Sequence, residues 1–222
     1  MLIGNGMMAE AFQSYKSRGE ILVFASGVSN SKEKDERIFN REQLLLNDAI
    51  NKHPNKLIIY FSTCSVYDDT VNKTPYVVHK LKMESLIKKN CRQFYILRVS
   101  QVVGHANNKT LINYLFASIL NNKKISINKN SSRNLISIED LFKAASHLIE
   151  NKIYLNEITN IASPLSIKVM DIVKIIENET GLSLKYNLED IGKPYEINIE
   201  KIRNLKIDFD FFHPNYYENI LH

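Results

Sequence analysis

Short apolar runs alternate with segments of helical periodicity along this chain. Residues 1–3, 21–25 and 57–61 read as extended, with helical patterns at 7–15 and 39–51 between them. The alternation continues through a helix at 76–89, a strand at 94–99, helices near 111–120 and 138–150, and a strand near 158–162. Strands separated by helices in this way pair in parallel through crossovers, so the pattern predicts an α/β fold with a doubly wound parallel sheet. After Pro164 the pattern changes to one helix at 167–179, stopped by Gly181, and then short mixed segments rich in Asp, Tyr and Asn. The expected division is a domain over 1–163 and a small lobe over 164–222, with 105–137 contributing to the cleft between them. Ligands of such sheets sit beyond the carboxyl ends of the strands.

Composition narrows the classes. At 222 residues and 44% hydrophobic content, the chain can bury one substantial core with a small appended lobe. Two cysteines, Cys64 and Cys91, are too few for a disulfide framework, which suits a reducing cytoplasm. Residues 1–12 lack the basic flank and apolar run of a signal peptide, and no stretch reaches the ~18 uninterrupted apolar residues that span a bilayer. A soluble protein with no membrane partner is therefore expected. The net charge of +5 comes from 29 basic residues scattered among 24 acidic ones, without a dense basic block. That argues against a nucleic-acid partner and for weak attraction to anionic small molecules.

Three groups of residues carry candidate chemistry. Gly4-Asn5-Gly6-Met7-Met8-Ala9 is a GxGxxA turn between an apolar strand and an amphipathic helix. Glycines there let the backbone approach a pyrophosphate, and Ala9 allows close packing of helix on strand; a tight turn in any strand-turn-helix unit can also be glycine-rich. Phe61-Ser62-Thr63-Cys64-Ser65-Val66-Tyr67 follows a predicted strand, and Pro75-Tyr76-Val77-Val78-His79-Lys80 opens a helix. The four-residue spacing puts the Tyr76 phenol and the Lys80 ammonium on one helix face, where the cation favours the phenolate, and Thr63 can hydrogen-bond a substrate oxygen. The third group is Arg133-Asn134-x-Ile136-x-Ile138-x-Asp140-Leu141.

Together with Ala25-Ser26-Gly27 at a strand end, Glu84, Leu97-Arg98 and Val102-Val103-Gly104, this order resembles the extended short-chain dehydrogenases known as NAD-dependent epimerases/dehydratases, in a shortened member. The resemblance implies a Rossmann-like domain over 1–163 and a substrate-binding lobe over 164–222. It implies catalytic roles for Thr63, Tyr76 and Lys80, with Lys80 also binding the nicotinamide ribose. Gly4, Gly6, Met7, Met8, Ala25, Ser26 and Gly27 would hold NAD or NADP, and Cys64, Ser65 and Arg133 a nucleotide-linked sugar. Arg133 stands where the family contacts nucleotide phosphates; the alternative is an exposed arginine paired with a carboxylate such as Glu139. Arg98 is expected to be structural.

The implied activity is hydride transfer at a sugar carbon, as a reductase or epimerase, of the kind found in surface polysaccharide biosynthesis. A homodimer through the helices at 39–51 and 76–89 is implied as well, with Leu44, Leu45 and Leu46 buried either there or against the sheet. The departures are a GxGxxA turn where the family usually has GxxGxxG, and an interval from that turn to Ala25 that lacks one strand-helix-strand segment. That segment normally supplies the adenosine-ribose grip. The alternative is therefore a catalytically silent dinucleotide- or partner-binding module. The six histidines, His53, His79, His105, His147, His213 and His222, lack metal-ligand spacing, so no metal is expected, and Cys64 has no partner base for a nucleophilic role.

Overall fold

The computed structural model describes residues 1–104, 111–190, 193 and 195–221; His105, His222 and the 105–110 part of the expected cleft segment lie outside them. Five parallel strands form the central sheet in the order β1 (Leu2–Ile3), β2 (Ile21–Phe24), β3 (Leu57–Thr63), β4 (Phe94–Val99) and a last strand, Ile158–Ile161. Their side chains alternate between two cores, as the period of two in a strand requires. Leu22, Phe24, Ile58, Tyr60, Phe94 and Ile96 face one side, against Leu46, Ala49 and Ile50 of α2 (Glu36–Lys52) and Met83 and Ile87 of α3 (Pro75–Asn90). Ile21, Val23, Ile59, Tyr95, Leu97 and Val99 face the other, against Phe12 and Tyr15 beyond the short helix α1 (Met7–Ala11) and a long helix, Ile138–Glu150.

The strand order never reverses, yet the connections change face. The β2–α2–β3 and β3–α3–β4 links run on one side, while α1 and the 3-10 turn at Gln13–Ser17 run on the other. Parallel links that step the same way on opposite faces have opposite hands, so the β1–β2 link departs from the hand of its neighbours. The chain passes from β1 through this short link straight to the adjacent β2. β1 is consequently a two-residue sheet edge. The chain leaves β1 towards one face and β2 towards the other, which opens a crevice between their carboxyl ends.

Three strand pairs extend the molecule beyond that end. β5 (Gln101–Val103) pairs with Leu135–Ser137, Ile125–Asn128 with Tyr186–Glu189, and Ser132–Arg133 with Ile167–Lys168. A second core forms there from Ile112, Leu115 and Ile119 of α4 (Leu111–Leu120), Ile125, Ile127 and Leu135, and Val169, Ile172, Val173 and Ile176 of the helix Val169–Thr180. Residues before and after 163 build it jointly. Residues 195–221 return to the sheet, with Ile202, Phe209, Phe211 and Tyr216 in the first core. Gly181 terminates its helix in the left-handed conformation at φ +66°. Among the described residues no helix is long and apolar enough to cross a membrane.

Candidate active site

Gly4 closes the crevice at β1. Its φ is +133°, and a Cβ there would lie 2.4 Å from the Ala25 carbonyl oxygen and 3.1 Å from the Ser26 nitrogen, so only glycine lets the two strand ends approach. At Gly6 a Cβ would meet nothing within 4 Å, which leaves the entry to α1 open to a ligand. Met7 and Met8 pack their side chains against the first core. Met7 also lines a groove of about 290 Å³ with Glu10, Ala11, Ile138, Glu139 and Phe142. Ser26 receives the exposed Arg41, whose guanidinium donates to its carbonyl at 2.9 Å and its hydroxyl at 3.3 Å.

The next wall is the end of β3 and the start of α3. Thr63 caps the 3-10 turn Cys64–Tyr67: its hydroxyl accepts from the Ser65 N–H at 3.1 Å and donates to the Ser65 hydroxyl at 3.0 Å. Pro75 occupies the first turn of α3, where a missing N–H costs nothing. The inward stripe of that helix then carries Tyr76, Lys80 and Glu84 at successive turns. The Tyr76 phenol has the Thr63 hydroxyl as its hydrogen-bonding neighbour, and Lys80 Nζ lies 6.0 Å from its ring centre. Burial pushes the Tyr76 phenol up to about 12, against the pull of Thr63, with Glu42 and Cys64 adding to the rise. At neutral pH it carries its proton.

Lys80 does not stand free. Its side chain is 3% exposed, and Nζ donates to Glu42 Oε1 at 3.2 Å, Tyr60 Oη at 3.3 Å and the Phe61 carbonyl at 3.4 Å. Glu42 is fully buried and also accepts from the Val28 N–H at 2.6 Å and Tyr60 Oη at 2.7 Å. His79 Nε2 approaches its other oxygen to 3.0 Å without the alignment of a hydrogen bond, and the imidazole stacks on Phe39 at 4.8 Å. Desolvation raises the carboxyl's pKa, but His79, Lys80, the Val28 N–H and Tyr60 overcome it and hold Glu42 at about 2. For Lys80 burial dominates and lowers the pKa, with Glu42 pulling it back up. Sequence reasoning missed Glu42 and Tyr60. The signal was present: Glu42 falls on the inward stripe of α2 with Phe39, Leu46, Ala49 and Ile50, where a carboxylate is out of place.

The expected substrate residues divide. Cys64 is buried and donates its thiol to the Arg98 carbonyl, with burial raising its pKa, so it offers a ligand no polar atom. The reason is its inward place in the turn that Thr63 caps. Ser65 is half-buried beside Thr63. Arg133 is half-buried, donates to the Ser132 carbonyl at 2.8 Å, and forms no ion pair with Glu139. It lies near Tyr195, a residue the sequence did not suggest, whose phenol burial pushes up to about 12 with Asp68 and Cys64 adding to the rise and Arg133 opposing it. Arg98 is locked to Glu84 through Nε at 2.9 Å and Nη2 at 2.8 Å.

The model of the NAD dependent epimerase/dehydratase family matches residues 5–162. Among solved structures, the chain is similar to UDP-N-acetylglucosamine 4-epimerase from Methanobrevibacter ruminantium M1 in complex with UDP-N-acetylmuramic acid. That match has 19% identity and a TM-score of 0.69, covering 99% of this chain and 79% of that one. MoeE5 in complex with UDP-glucuronic acid and NAD matches at 16% identity and TM-score 0.71, over 87% of this chain and 74% of that one. RMD from Pseudomonas aeruginosa complexed with NADPH matches at 14% and 0.66, over 91% and 96%. No curated protein matches the chain.

Proposed function

Because the chain belongs to the NAD-dependent epimerase/dehydratase family, we propose that it is an NAD(P)-dependent epimerase or reductase acting on a nucleotide-linked sugar. The observation that carries this reading is the meeting of Thr63, Tyr76 and Lys80 beside the crevice between β1 and β2. The open turn at Gly6 and the close approach at Gly4 fit a dinucleotide whose pyrophosphate would lie against the main chain of residues 4–8, with Ala25, Ser26 and Gly27 along its side. When bound, the nicotinamide supplies hydride acceptance and donation. Thr63 then orients the sugar oxygen, and Tyr76 exchanges a proton with it. Since the phenol holds its proton at neutral pH, donation to a keto-sugar oxygen is its ready direction, and proton abstraction needs added positive charge nearby. Arg133 has the fork to bind a phosphate, and among the described residues no carboxylate forms an ion pair with it.

The pairing of helices expected for a homodimer has a surface to use. Leu46 is fully buried against the sheet, whereas Leu44 is 69% exposed, and Ile38, Val78 and Leu81 join it as exposed apolar side chains on α2 and α3. A second reading, the silent binding module, draws on β1 being a sheet edge, with no strand beyond it among the described residues to grip an adenosine ribose.

Calorimetric titration with NAD, NADH, NADP and NADPH, followed by turnover of a nucleotide sugar by the loaded chain, separates the two. Micromolar binding of one dinucleotide, lost in Gly6→Asp, with turnover lost in Tyr76→Phe supports the enzyme; binding without turnover supports the silent module, and no binding by any of the four removes the enzyme reading.

A further inference from the structure

Resting on the reading above, we propose that Glu42 is a positioning residue that keeps Lys80 charged and pinned beneath Gly27, inside the protein rather than in the crevice. An ammonium has three N–H donors, and all three of Lys80 are directed at protein acceptors: Glu42, Tyr60 and the Phe61 carbonyl. Nζ lies against the loop after β2, so close that a Cβ on Gly27 would stand 2.6 Å from it and 3.0 Å from Glu42 Oε1. Lys80 therefore acts on its surroundings through charge across the Gly27 floor, and donates to a ligand only by releasing one of these acceptors.

A lysine this buried sheds its proton unless a counter-ion holds it. Glu42 is the carboxylate in direct contact. Glu84, one turn further along α3, contributes at longer range but is itself held by Arg98 and Ser62. The other titratable groups facing the pair are Tyr60 from β3 and His79 and Tyr76 from α3. Glu42 is tied to the crevice at the same time, because the Val28 N–H that it accepts at 2.6 Å follows Gly27 directly. One carboxylate thus fixes both the lysine and the loop above it.

The test is a titration of the native chain and its Glu42→Gln variant carrying ¹³Cε-labelled lysine, with Lys80 assigned by Lys80→Arg and folding followed by thermal melting. The expected result is a Lys80 pKa at least one unit lower in Glu42→Gln, a tenfold loss of proton affinity. The same titration curve in both chains overturns the proposal. Gly27→Ala is the second variant: it leaves every charge in place but displaces Nζ, and is expected to make Lys80 at least tenfold more reactive to an amine-acylating reagent, read by peptide mass. Should Glu42→Gln not fold, the native chain decides, because Lys80 acylated as fast as the exposed lysines of the same molecule also overturns the clamp. These readouts need no cofactor, so failure to bind any dinucleotide sinks the enzyme reading while leaving the clamp to stand or fall by itself.

Discussion

Helix α3 carries two buried ion pairs one turn apart, and they are built differently. At Glu84 the Arg98 guanidinium makes a two-pronged contact at 2.8 and 2.9 Å, Ser62 donates at 2.6 Å, and Arg98 reaches Tyr67 Oη at 3.0 Å. At Lys80 the bonds are longer, 3.2–3.4 Å, to three separate acceptors. A planar guanidinium that stays charged and matches a carboxylate in two places locks its geometry. A compact ammonium is a point charge, held in place by three separate acceptors and not by a matched pair of bonds. Burial lowers the pKa of Lys80, whereas the bond to Glu84 raises that of Arg98. The first pair braces β3, β4 and α3 together; the second holds one charge against the loop after β2.

Replacing Arg98 is expected to produce the largest stability effect, since Arg98→Met leaves Glu84 buried and unpaired, at about 3–5 kcal/mol in urea denaturation. A loss under about 1 kcal/mol would erase the distinction between the pairs. Tyr76→Phe tests the other side: turnover on a responsive nucleotide sugar is expected to fall by about 10²-fold or more, while stability stays within about 1 kcal/mol of the native chain. Comparable losses in both would make Tyr76 a structural residue like Arg98.

Acid sharpens the contrast further. Glu42 is held at about 2 in the folded protein against 4.5 for the free side chain, so its contribution is complete above about pH 4.5 and is lost as pH falls towards 2. Stability measured across that window should fall in the native chain and flatten in Glu42→Gln. The smallest effect on the fold is expected from Leu44→Glu, on the outer face of α2. It should leave stability within about 0.5 kcal/mol, while the proposed homodimer predicts the mass of a dimer for the native chain and of a monomer for the variant in light scattering; equal masses for the two chains would remove that face as the proposed surface.

Much of this architecture was legible in local patterns. The strands 21–25, 57–61, 94–99 and 158–162 and the helix opening at Pro75 correspond to structural elements, because apolar periodicity and proline act over a few residues. The helix expected over 7–15 stops at Ala11 and continues as a 3-10 turn. The small strand pairs beyond the sheet, such as Ile125–Asn128 with Tyr186–Glu189, had no signal of their own, since two- to four-residue strands form only when a distant partner supplies the other half of the ladder.

By itself, then, the sequence determined the order of strands and helices, the glycine turn and the one-face placement of Tyr76 and Lys80, all properties of neighbouring residues. Tertiary structure alone decided that the connection after β1 changes face, that Cys64 turns inward, and that Lys80 is held by Glu42, 38 residues away in sequence. A buried carboxylate is stabilised by donors gathered from β3, α3 and the loop after β2, and only the packed chain brings those donors to one point.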